Sequence, residues 1–299
     1  MFKTKGSPVV WLPDTFGFCG QLPQLMKEAG YQYFATAKLS WNQYNKMPSE
    51  YFQWEGIDGN RVLAYIVSTA KPGWWGGTYS ADLTPEEVLD TFETQEEKGL
   101  CQELLLAYGM GDGGGGPTEE MVVRGELMEQ FDFPGIPKVQ FSTFQEFFQK
   151  MEEKREELPV WCGELYFELH RGTYTSQAET KKNNRLCEVA LHQAEFLAAF
   201  ASEESEYCYP SKEFQKMWEK LCLNQFHDIL PGSSIGEVYK DARRDHVEIL
   251  EGCDEITSQA VKALAQNASK EAQALIINGT SFWQTGIVEL PFPVGEGQQ

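Results

Sequence analysis

Short apolar runs alternate with helical patterns over the first part of the chain. The predicted strands are Val9–Leu12, Tyr33–Ala37, Arg61–Val67, Leu104–Tyr108 and Val139–Phe141. These runs are nearly continuous rather than alternating, which is typical of a parallel sheet covered on both faces. Capping-box patterns at residues 84–87 and 142–145 predict helix starts between the strands. The repetition predicts an α/β layer or barrel over residues 1–160.

From residue 161 to residue 265 the apolar positions follow helical spacing instead. The first stripe consists of Leu186, Val189, Ala190, Leu197 and Phe200. The second consists of Phe214, Met217, Trp218 and Leu221. The third recurs at Ala242, Ile249, Ile256 and Ala263, with Cys253 and Ala260 beside it. Amphipathic helices with short connections predict a three-helix bundle.

Residues 266–299 change character again. Ala274–Asn278 and Gly286–Leu290 have strand patterns, but two strands cannot form a stable sheet alone. We therefore expect a linker followed by the first strands of a truncated β-sandwich domain. A closed (β/α) barrel needs about 250 residues, so we also expect the barrel to be partial and the chain to be a piece of a larger protein.

Composition and charge exclude several classes of partner. Of the 299 residues, 41% are hydrophobic and 23% are charged, as in a folded globular protein. The formal net charge of −20 repels phosphate backbones and offers no basic surface to acidic lipids. No apolar run approaches the roughly 20 residues of a membrane span. We expect neither a nucleic acid nor a membrane as a partner, and the sequence leaves open whether the chain forms a homo-oligomer.

The cysteines point to a reducing compartment. Seven cysteines are scattered along the chain without a C-x-x-C pair, a pattern typical of free thiols. The N-terminal segment has only five apolar residues, 8–12, before Pro13, which predicts no signal peptide. We expect a soluble, cytoplasmic protein.

Three polar residues follow predicted strands, where functional groups of parallel α/β folds lie. They are Asp14, Lys38 and Asp112. Asp14 is equally well interpreted as a turn or helix N-cap residue, and Asp112 as a solvated loop residue. Glycines 113–116 favour close approach of a ligand, whereas the missing Gly-Lys-Ser/Thr excludes a Walker-type phosphate loop. Two carboxylates at one barrel mouth suit a glycosidase, although 45 acidic residues make a mere count uninformative.

The histidines allow a second kind of chemistry. His227 lies in a polar, glycine-terminated segment at the end of the second predicted helix of the bundle. It is a candidate metal ligand, and equally an imidazole that stabilises a helix C-terminus. His192 and His246 occupy interior helix positions and suit the surface or the core. The pattern does not decide the role of His170.

Six segments, taken together and in order, resemble the family 38 α-mannosidases of the glycoside hydrolases. The segments are WLPDTFG at 11–17, TAKLSWN at 36–42, WEGIDG at 54–59, GDGGGG at 111–116, HRGTYTSQ at 170–177 and NQFHDILPGSS at 224–234. The resemblance spans most of the chain. It implies a seven-stranded α/β barrel, a three-helix middle domain and large β-domains after it.

The resemblance also implies an activity and a site. It implies a retaining α-mannosidase that acts on mannose-containing oligosaccharides, with Asp14 as nucleophile and zinc ligand and Asp112 as general acid and base. It makes His227 a further zinc ligand, Asp228 a contact to sugar hydroxyls and Phe16 an apolar platform near the sugar. A zinc ion there would grip vicinal sugar hydroxyls.

One departure from the family concerns the metal. The family supplies two more zinc ligands from a His-x-Asp segment early in the barrel, and nothing upstream of Asp14 provides it. We therefore expect an incomplete zinc site in this chain. Two alternatives stay open: a metal-dependent carbohydrate deacetylase on a similar barrel, and a non-catalytic carbohydrate-binding fragment.

Overall fold

The computed structural model describes residues 6–47, 49–95, 97–111, 114–131, 133–266, 275–287 and 289. The chain divides into two compact units, Met1–His170 and Arg171–Gln299. None of the helices in the described ranges combines the length and the apolar character that crossing a bilayer requires.

The first unit is a mixed α/β layer structure. Its strands are β1 Val9–Trp11, β2 Tyr33–Thr36, β3 Tyr51–Glu55, β4 Arg61–Ile66 and β5 Val160–Cys162. Its helices are α1 Leu22–Glu28, α2 Pro85–Thr94, α3 Glu119–Gln130 and α4 Phe144–Glu152. The five strands lie in the order β1-β2-β4-β3-β5. β1, β2 and β4 are parallel, as their apolar runs predict, whereas β3, which the sequence pattern does not predict, runs antiparallel to β4, so the sheet is mixed.

Both faces of this sheet are buried. One face contributes Tyr33, Ala35, Leu63 and Tyr65, which pack with Phe147, Phe148 and Met151 of α4. The other contributes Phe34, Phe52, Trp54, Val62 and Ala64, which pack with Met26 of α1, Leu165 and Phe167. Successive strand residues point to opposite faces, so burial of both faces requires the continuous apolar runs that are seen in β2 and β4.

Three of the predicted strands are confirmed, as β1, β2 and β4, and two are wrong. Leu104–Tyr108 makes only an isolated bridge, between Tyr108 and Ala81. The hydroxyl of Thr69 donates to the carbonyl of Leu105 and accepts from the amide of Ala107, each at 3.3 Å. These hydrogen bonds take the place of a strand ladder. The second wrong prediction, Val139–Phe141, packs as a loop against a small apolar cluster that includes Leu83 and Met128.

The apolar-run criterion also misses β3 and β5. In β3 the polar Gln53 interrupts the run, yet Gln53 is buried and its amide donates to the carbonyl of Arg155 at 3.0 Å. β5 is short and lies at the edge of the sheet, with Val160 and Cys162 exposed. A short, half-exposed edge strand carries little hydrophobic pattern.

The capping boxes begin the helices that they predict. Thr84 caps α2 and Glu87 closes the box, with Pro85 in the first turn. The predicted start at 142–145 is shifted by one residue, because Thr143 is the cap of α4 and Glu146 closes its box. Each box satisfies backbone amides that the first turn of a helix leaves without partners.

Three long helices form the core of the second unit. They are α5 Ala178–Glu204, α6 Ser211–Asn224 and α7 Gly236–Gln266. The predicted stripe of α6 is confirmed, with Phe214, Met217 and Leu221 buried. On α7 the stripe ends on Leu264 rather than Ala263, because a straight helix drifts relative to a strict seven-residue repeat.

The predicted stripe of α5 is confirmed only in part, at Ala190 and Leu197, which are partly buried against apolar clusters of the second unit. Leu186, Val189 and Phe200 are exposed, and the buried face carries Cys187, Leu191, Ala194, Ala198 and Ala201. Small residues on that face allow α5 to pack closely against α6 and α7. Three bulky residues of the predicted stripe therefore lie on the outer face of this helix, while Leu191 is the large residue of its buried face.

The C-terminal strand predictions fall partly outside the described residues, which exclude Ala274, Val288 and Leu290. The described parts of Ala274–Asn278 and Gly286–Leu290 contain no strand. Asn278 instead forms a local turn, in which its side-chain oxygen accepts from the amide of Thr280 at 3.0 Å. This is the short-range hydrogen bonding that asparagine offers in turns.

The buried His246 makes the stability of the second unit depend on pH. Its side chain is 1% exposed, and neither ring nitrogen has a hydrogen-bond partner among the described residues. Burial lowers the pKa of His246 below 6.5, while Asp245 and Glu179 oppose this. The unfolded chain therefore binds a proton at His246 more readily than the folded chain does. The contribution of the neutral His246 to folding stability is present above pH 6.5, and it decreases as the pH falls through that value.

We expect the thermal midpoint of the chain, followed by circular dichroism, to fall between pH 7.5 and 5.5. The variant His246→Leu should show a smaller decrease, because it removes the group that is protonated on unfolding. His192→Leu serves as a control on the neighbouring helix α5. Equal pH dependence in all three proteins would contradict the assignment to His246.

Candidate active site

The carboxyl ends of β1 and β2 bring Asp14 and Lys38 together. Backbone hydrogen bonds join the segment after β1 to the segment after β2. The carbonyl of Pro13 accepts from the amide of Ala37 at 3.1 Å and from that of Lys38 at 2.8 Å. Lys38 Nζ lies 2.9 Å from Asp14 Oδ1. The Asp14 side chain is 47% exposed, whereas that of Lys38 is only 18% exposed. An accessible carboxylate is therefore held in place by a largely buried ammonium group.

The turn after Asp14 is anchored to the segment after β5. Phe18 and Leu165 form an isolated antiparallel bridge, with both of their N–H···O bonds at 2.9 Å. Gly17 has φ +108°, and an added Cβ would lie 3.0 Å from the carbonyl oxygen of Leu165. Only glycine suits this conformation and this approach. The loop that carries Asp14 is thus fixed at both ends.

Phe16 forms an aromatic wall beside the ion pair. Its ring centroid lies 5.5 Å from that of Phe167 and 4.8 Å from that of His170. The side chain is 39% exposed, and Lys38 Nζ lies 5.5 Å from its centroid. His170 has a positive φ of 59°, a conformation that non-glycine residues rarely adopt. The structure thus places His170, whose role the sequence leaves open, against the residue that the resemblance assigns to sugar contact.

Three tryptophans in mutual contact begin at Trp41, next to Lys38, and the sequence pattern assigns a role to none of them. Lys38 Nζ lies 4.6 Å from the ring centroid of Trp41. Trp74 and Trp75 meet Trp41 edge-on, at centroid distances of 5.4 and 5.0 Å. The signal was the pair of adjacent tryptophans between glycines in the loop after β4. A polar loop rarely carries two such residues without a use for them.

The glycine-rich loop begins close to the same edge of the sheet. Asp112 itself lies outside the described residues. Gly111 packs so closely on Ser80 that an added Cβ would lie 2.4 Å from the Ser80 Cβ. Lys71 Nζ lies 3.5 Å from the carbonyl oxygen of Ser80 and 5.8 Å from the ring centroid of Trp74. Contacts within the first unit thus connect the start of the glycine loop to the tryptophans.

Glu168 anchors the loop that follows Trp41. Its carboxylate accepts hydrogen bonds from the backbone amides of Gln43 at 2.7 Å, Tyr44 at 2.9 Å and Asn45 at 2.5 Å. These amides lower the pKa of Glu168 to about 2, because they stabilise the ionised form. Asn42 extends the anchor, since its side chain donates to the carbonyl of Tyr166 at 2.8 Å.

His227 and Asp228 lie in the second unit, in the turn that follows α6. His227 Nε2 lies 3.4 Å from Asp228 Oδ2, and both side chains are exposed. The carbonyl of Asp228 accepts from the hydroxyl of Ser234 at 2.7 Å. Lys181 fixes the far end of the turn, because its ammonium donates to the carbonyl of Leu230 at 2.8 Å. The turn is held firmly while its two functional candidates face solvent.

The two zinc ligands that the resemblance implies, Asp14 and His227, lie in different units of the chain. The proposed ligand types, carboxylate and imidazole, suit zinc, but a zinc site takes three or four protein ligands. No group of three His, Cys, Asp or Glu side chains in the described ranges could hold a metal ion. The described residues therefore do not provide a complete zinc site.

Comparison with known families agrees with this arrangement of motifs. The model of the glycosyl hydrolases family 38 N-terminal domain matches residues 1–164. That of the alpha mannosidase middle domain matches residues 168–264. The chain belongs to glycosyl hydrolase family 38.

The relatives of this family 38 chain are longer proteins. Alpha-mannosidase G of Dictyostelium discoideum is 44% identical over 84% of this chain and 22% of its own length. Alpha-mannosidase 2C1 of Mus musculus is 40% identical over 95% of this chain and 27% of its own length. The crystal structure of an alpha-mannosidase from Enterococcus faecalis V583 matches 87% of this chain and 30% of its own chain, with a TM-score of 0.65. At 21% sequence identity, this match shows a shared fold. The chain spans about a quarter of the length of these curated relatives.

Replacing the Glu168 carboxylate should loosen the loop that it anchors. Glu168→Gln removes the negative charge and replaces one carboxylate oxygen by an NH2 group. That group is a donor, whereas the backbone amides around it need an acceptor. We expect faster hydrogen exchange at the amides of Gln43, Tyr44 and Asn45, together with a lower thermal midpoint. The exposed Glu164→Gln is the matched control. Unchanged exchange in Glu168→Gln would show that the carboxylate does not hold the loop.

Proposed function

We propose that this family 38 chain carries the catalytic carboxylates of a retaining α-mannosidase that hydrolyses mannose-containing oligosaccharides. The observation that carries the proposal is the position of Asp14, an accessible carboxylate oriented by Lys38 at the carboxyl end of a parallel strand. Membership of family 38 and relatives named as alpha-mannosidases support the reaction class.

The proposed reaction proceeds through two displacements. Asp14 attacks the anomeric carbon, and Asp112 gives its proton to the leaving oxygen, so that a glycosyl-aspartate forms as the bond to the leaving group breaks. Asp112 then removes a proton from water, which attacks the anomeric carbon and releases Asp14. Lys38 positions the Asp14 carboxylate through the ion pair of 2.9 Å.

Further groups are proposed to bind the sugar. Phe16 would contact an apolar face of the ring, as its exposed position against Phe167 and His170 allows. Asp228 would accept from sugar hydroxyls. Asp14 and His227 are the zinc ligands that the family resemblance proposes, with the remaining ligands coming from elsewhere in the protein. When bound, zinc would supply a Lewis acid for sugar hydroxyls.

The domain assignment is proposed on the same basis. Residues 1–160 would be part of a seven-stranded catalytic barrel, residues 161–265 a three-helix-bundle middle domain and residues 266–299 the start of a β-domain. The free thiols, three of them buried, support the predicted cytoplasmic location.

Asp14→Asn should lower hydrolysis of 4-nitrophenyl α-mannoside by on the order of 10³-fold or more, because an amide cannot act as the nucleophile. The measurement uses the complete protein that contains this chain. Asp58→Asn is the control, since Asp58 is an exposed turn residue between β3 and β4 whose side chain accepts from the amide of Asn60 at 3.0 Å. Trapping a glycosyl-aspartate would exclude the deacetylase alternative. Turnover of Asp14→Asn at the rate of the unsubstituted protein would reject the nucleophile assignment.

Asp112→Asn should affect substrates unequally. A good leaving group such as 4-nitrophenolate needs no proton, whereas a sugar alcohol does. We expect the rate on α-mannobiose to fall by about 10²-fold or more, and the rate of glycosyl-enzyme formation from 4-nitrophenyl α-mannoside to fall less. Equal losses on both substrates would argue against a general acid at this position.

A further inference from the structure

Trp74 and Trp75 present two large aromatic surfaces to solvent in the loop after β4. Their side chains are 52% and 66% exposed. Both rings lean on the same residue, Trp41, from different angles, with interplanar angles of 80° and 69°. We call Trp74 and Trp75 the tryptophan platform. Exposed aromatic surface of this extent in a folded protein marks a binding surface.

The platform has a rigid base. Trp41 Nε1 donates to the carbonyl of Gly77 at 2.8 Å, and the amide of Gly77 donates to the hydroxyl of Ser40 at 2.9 Å. Gly76 lies flat against Trp41, because an added Cβ would come within 2.5 Å of the indole. A rigid aromatic group loses little conformational entropy on binding a ligand, which favours its use in recognition.

We propose that the tryptophan platform binds a second sugar of the oligosaccharide whose first sugar meets Asp14. The inference rests on the proposed function and adds a subsite to it. The two sites are joined by Lys38, which pairs with Asp14 and lies over the Trp41 ring. A pyranose offers an apolar face of C–H groups that packs on indole rings, while its hydroxyls remain free for hydrogen bonds.

A cavity beside the platform has the size and polarity for this ligand. Its volume is about 340 Å³, within the range of about 300–1,000 Å³ that is typical of small-molecule sites. Trp74 and Trp75 line it together with polar residues that include Asn42, Ser49 and Thr94. Asp14 is not among the described residues that line it. The cavity therefore suits a part of the ligand other than the one that meets Asp14.

The surrounding charge distinguishes a sugar from a nucleobase, which also stacks on tryptophan. The chain has a net charge of −20, which disfavours a phosphate backbone. Near the platform, Lys38 is paired with Asp14, and Lys71 lies 3.6 Å from Asp82. The cavity itself is lined by one cationic residue, Lys46, and one acidic residue, Glu50. A neutral, hydroxyl-rich ligand matches this site.

The test measures the affinity of the complete protein for two ligands by isothermal titration calorimetry. An α-linked mannotriose can reach both sites, whereas methyl α-mannoside can occupy only one. The mannotriose carries sulfur in place of its glycosidic oxygens, so that it is not consumed and the ion pair between Asp14 and Lys38 stays intact. Trp74→Ala and Trp75→Ala should weaken binding of the mannotriose by about 2- to 10-fold each, and leave that of methyl α-mannoside unchanged.

Two controls separate stacking from damage to the fold. Trp283→Ala removes a fully exposed tryptophan of the second unit and should change neither affinity. Trp75→Phe keeps an aromatic ring and should retain most of the mannotriose affinity. Equal weakening of both ligands, unchanged affinity in both alanine variants, or no mannotriose binding by the parent protein would each overturn the proposal. If the protein without substitutions hydrolyses no mannoside while its mannotriose affinity depends on Trp75, the platform is supported and the proposed reaction fails.

Discussion

The parallel pairing of β1 with β2 and of β2 with β4 is the constraint on which the candidate site depends. Parallel strands end at the same edge of a sheet, so residues far apart in sequence come together beyond their carboxyl ends. Asp14 follows β1 and Lys38 follows β2, and the carbonyl of Pro13 joins the two segments by accepting two backbone amides. The loop after β4 adds the tryptophan platform to the same edge. Loss of this register would move all of these side chains at once.

Beyond the strands, the loops keep their shape through specific polar and steric contacts rather than through a regular ladder. Glu168 replaces water at three successive backbone amides, and Gly17 and Gly76 allow approaches that a side chain would block. Buried amides need such partners, because an unsatisfied donor costs about 1–3 kcal/mol. The same arrangement keeps Asn42 in place in the lining of the cavity. The loops thus provide a fixed surface on which a ligand can bind without prior ordering.

The sequence predicts what depends on local chemistry and misses what depends on packing partners. Both capping boxes begin their helices, because Thr84 and Thr143 satisfy amides within one turn. Leu186, Val189 and Phe200 of α5 are exposed. Close contact with the neighbouring helices favours small residues such as Ala194 and Ala198 on the buried face. The interrupted β3 escapes a search for apolar runs, because Gln53 is buried through a hydrogen bond to a distant carbonyl. Asp14 and Lys38 are found from their positions after strands, whereas their ion pair depends on register and is seen only in three dimensions.

The geometry of Lys38 is better explained by positioning than by stability. A half-exposed ion pair contributes about 0–1 kcal/mol, yet Lys38 is 18% exposed and lies within 6 Å of two aromatic rings. Burying an ammonium group against rings is favourable only while its charge stays paired and the rings face it. Lys38 therefore couples the orientation of the Asp14 carboxylate to the placement of Phe16 and Trp41. A single side chain in this way fixes the distance between the carboxylate proposed for the chemistry and the aromatic surfaces proposed for the sugars.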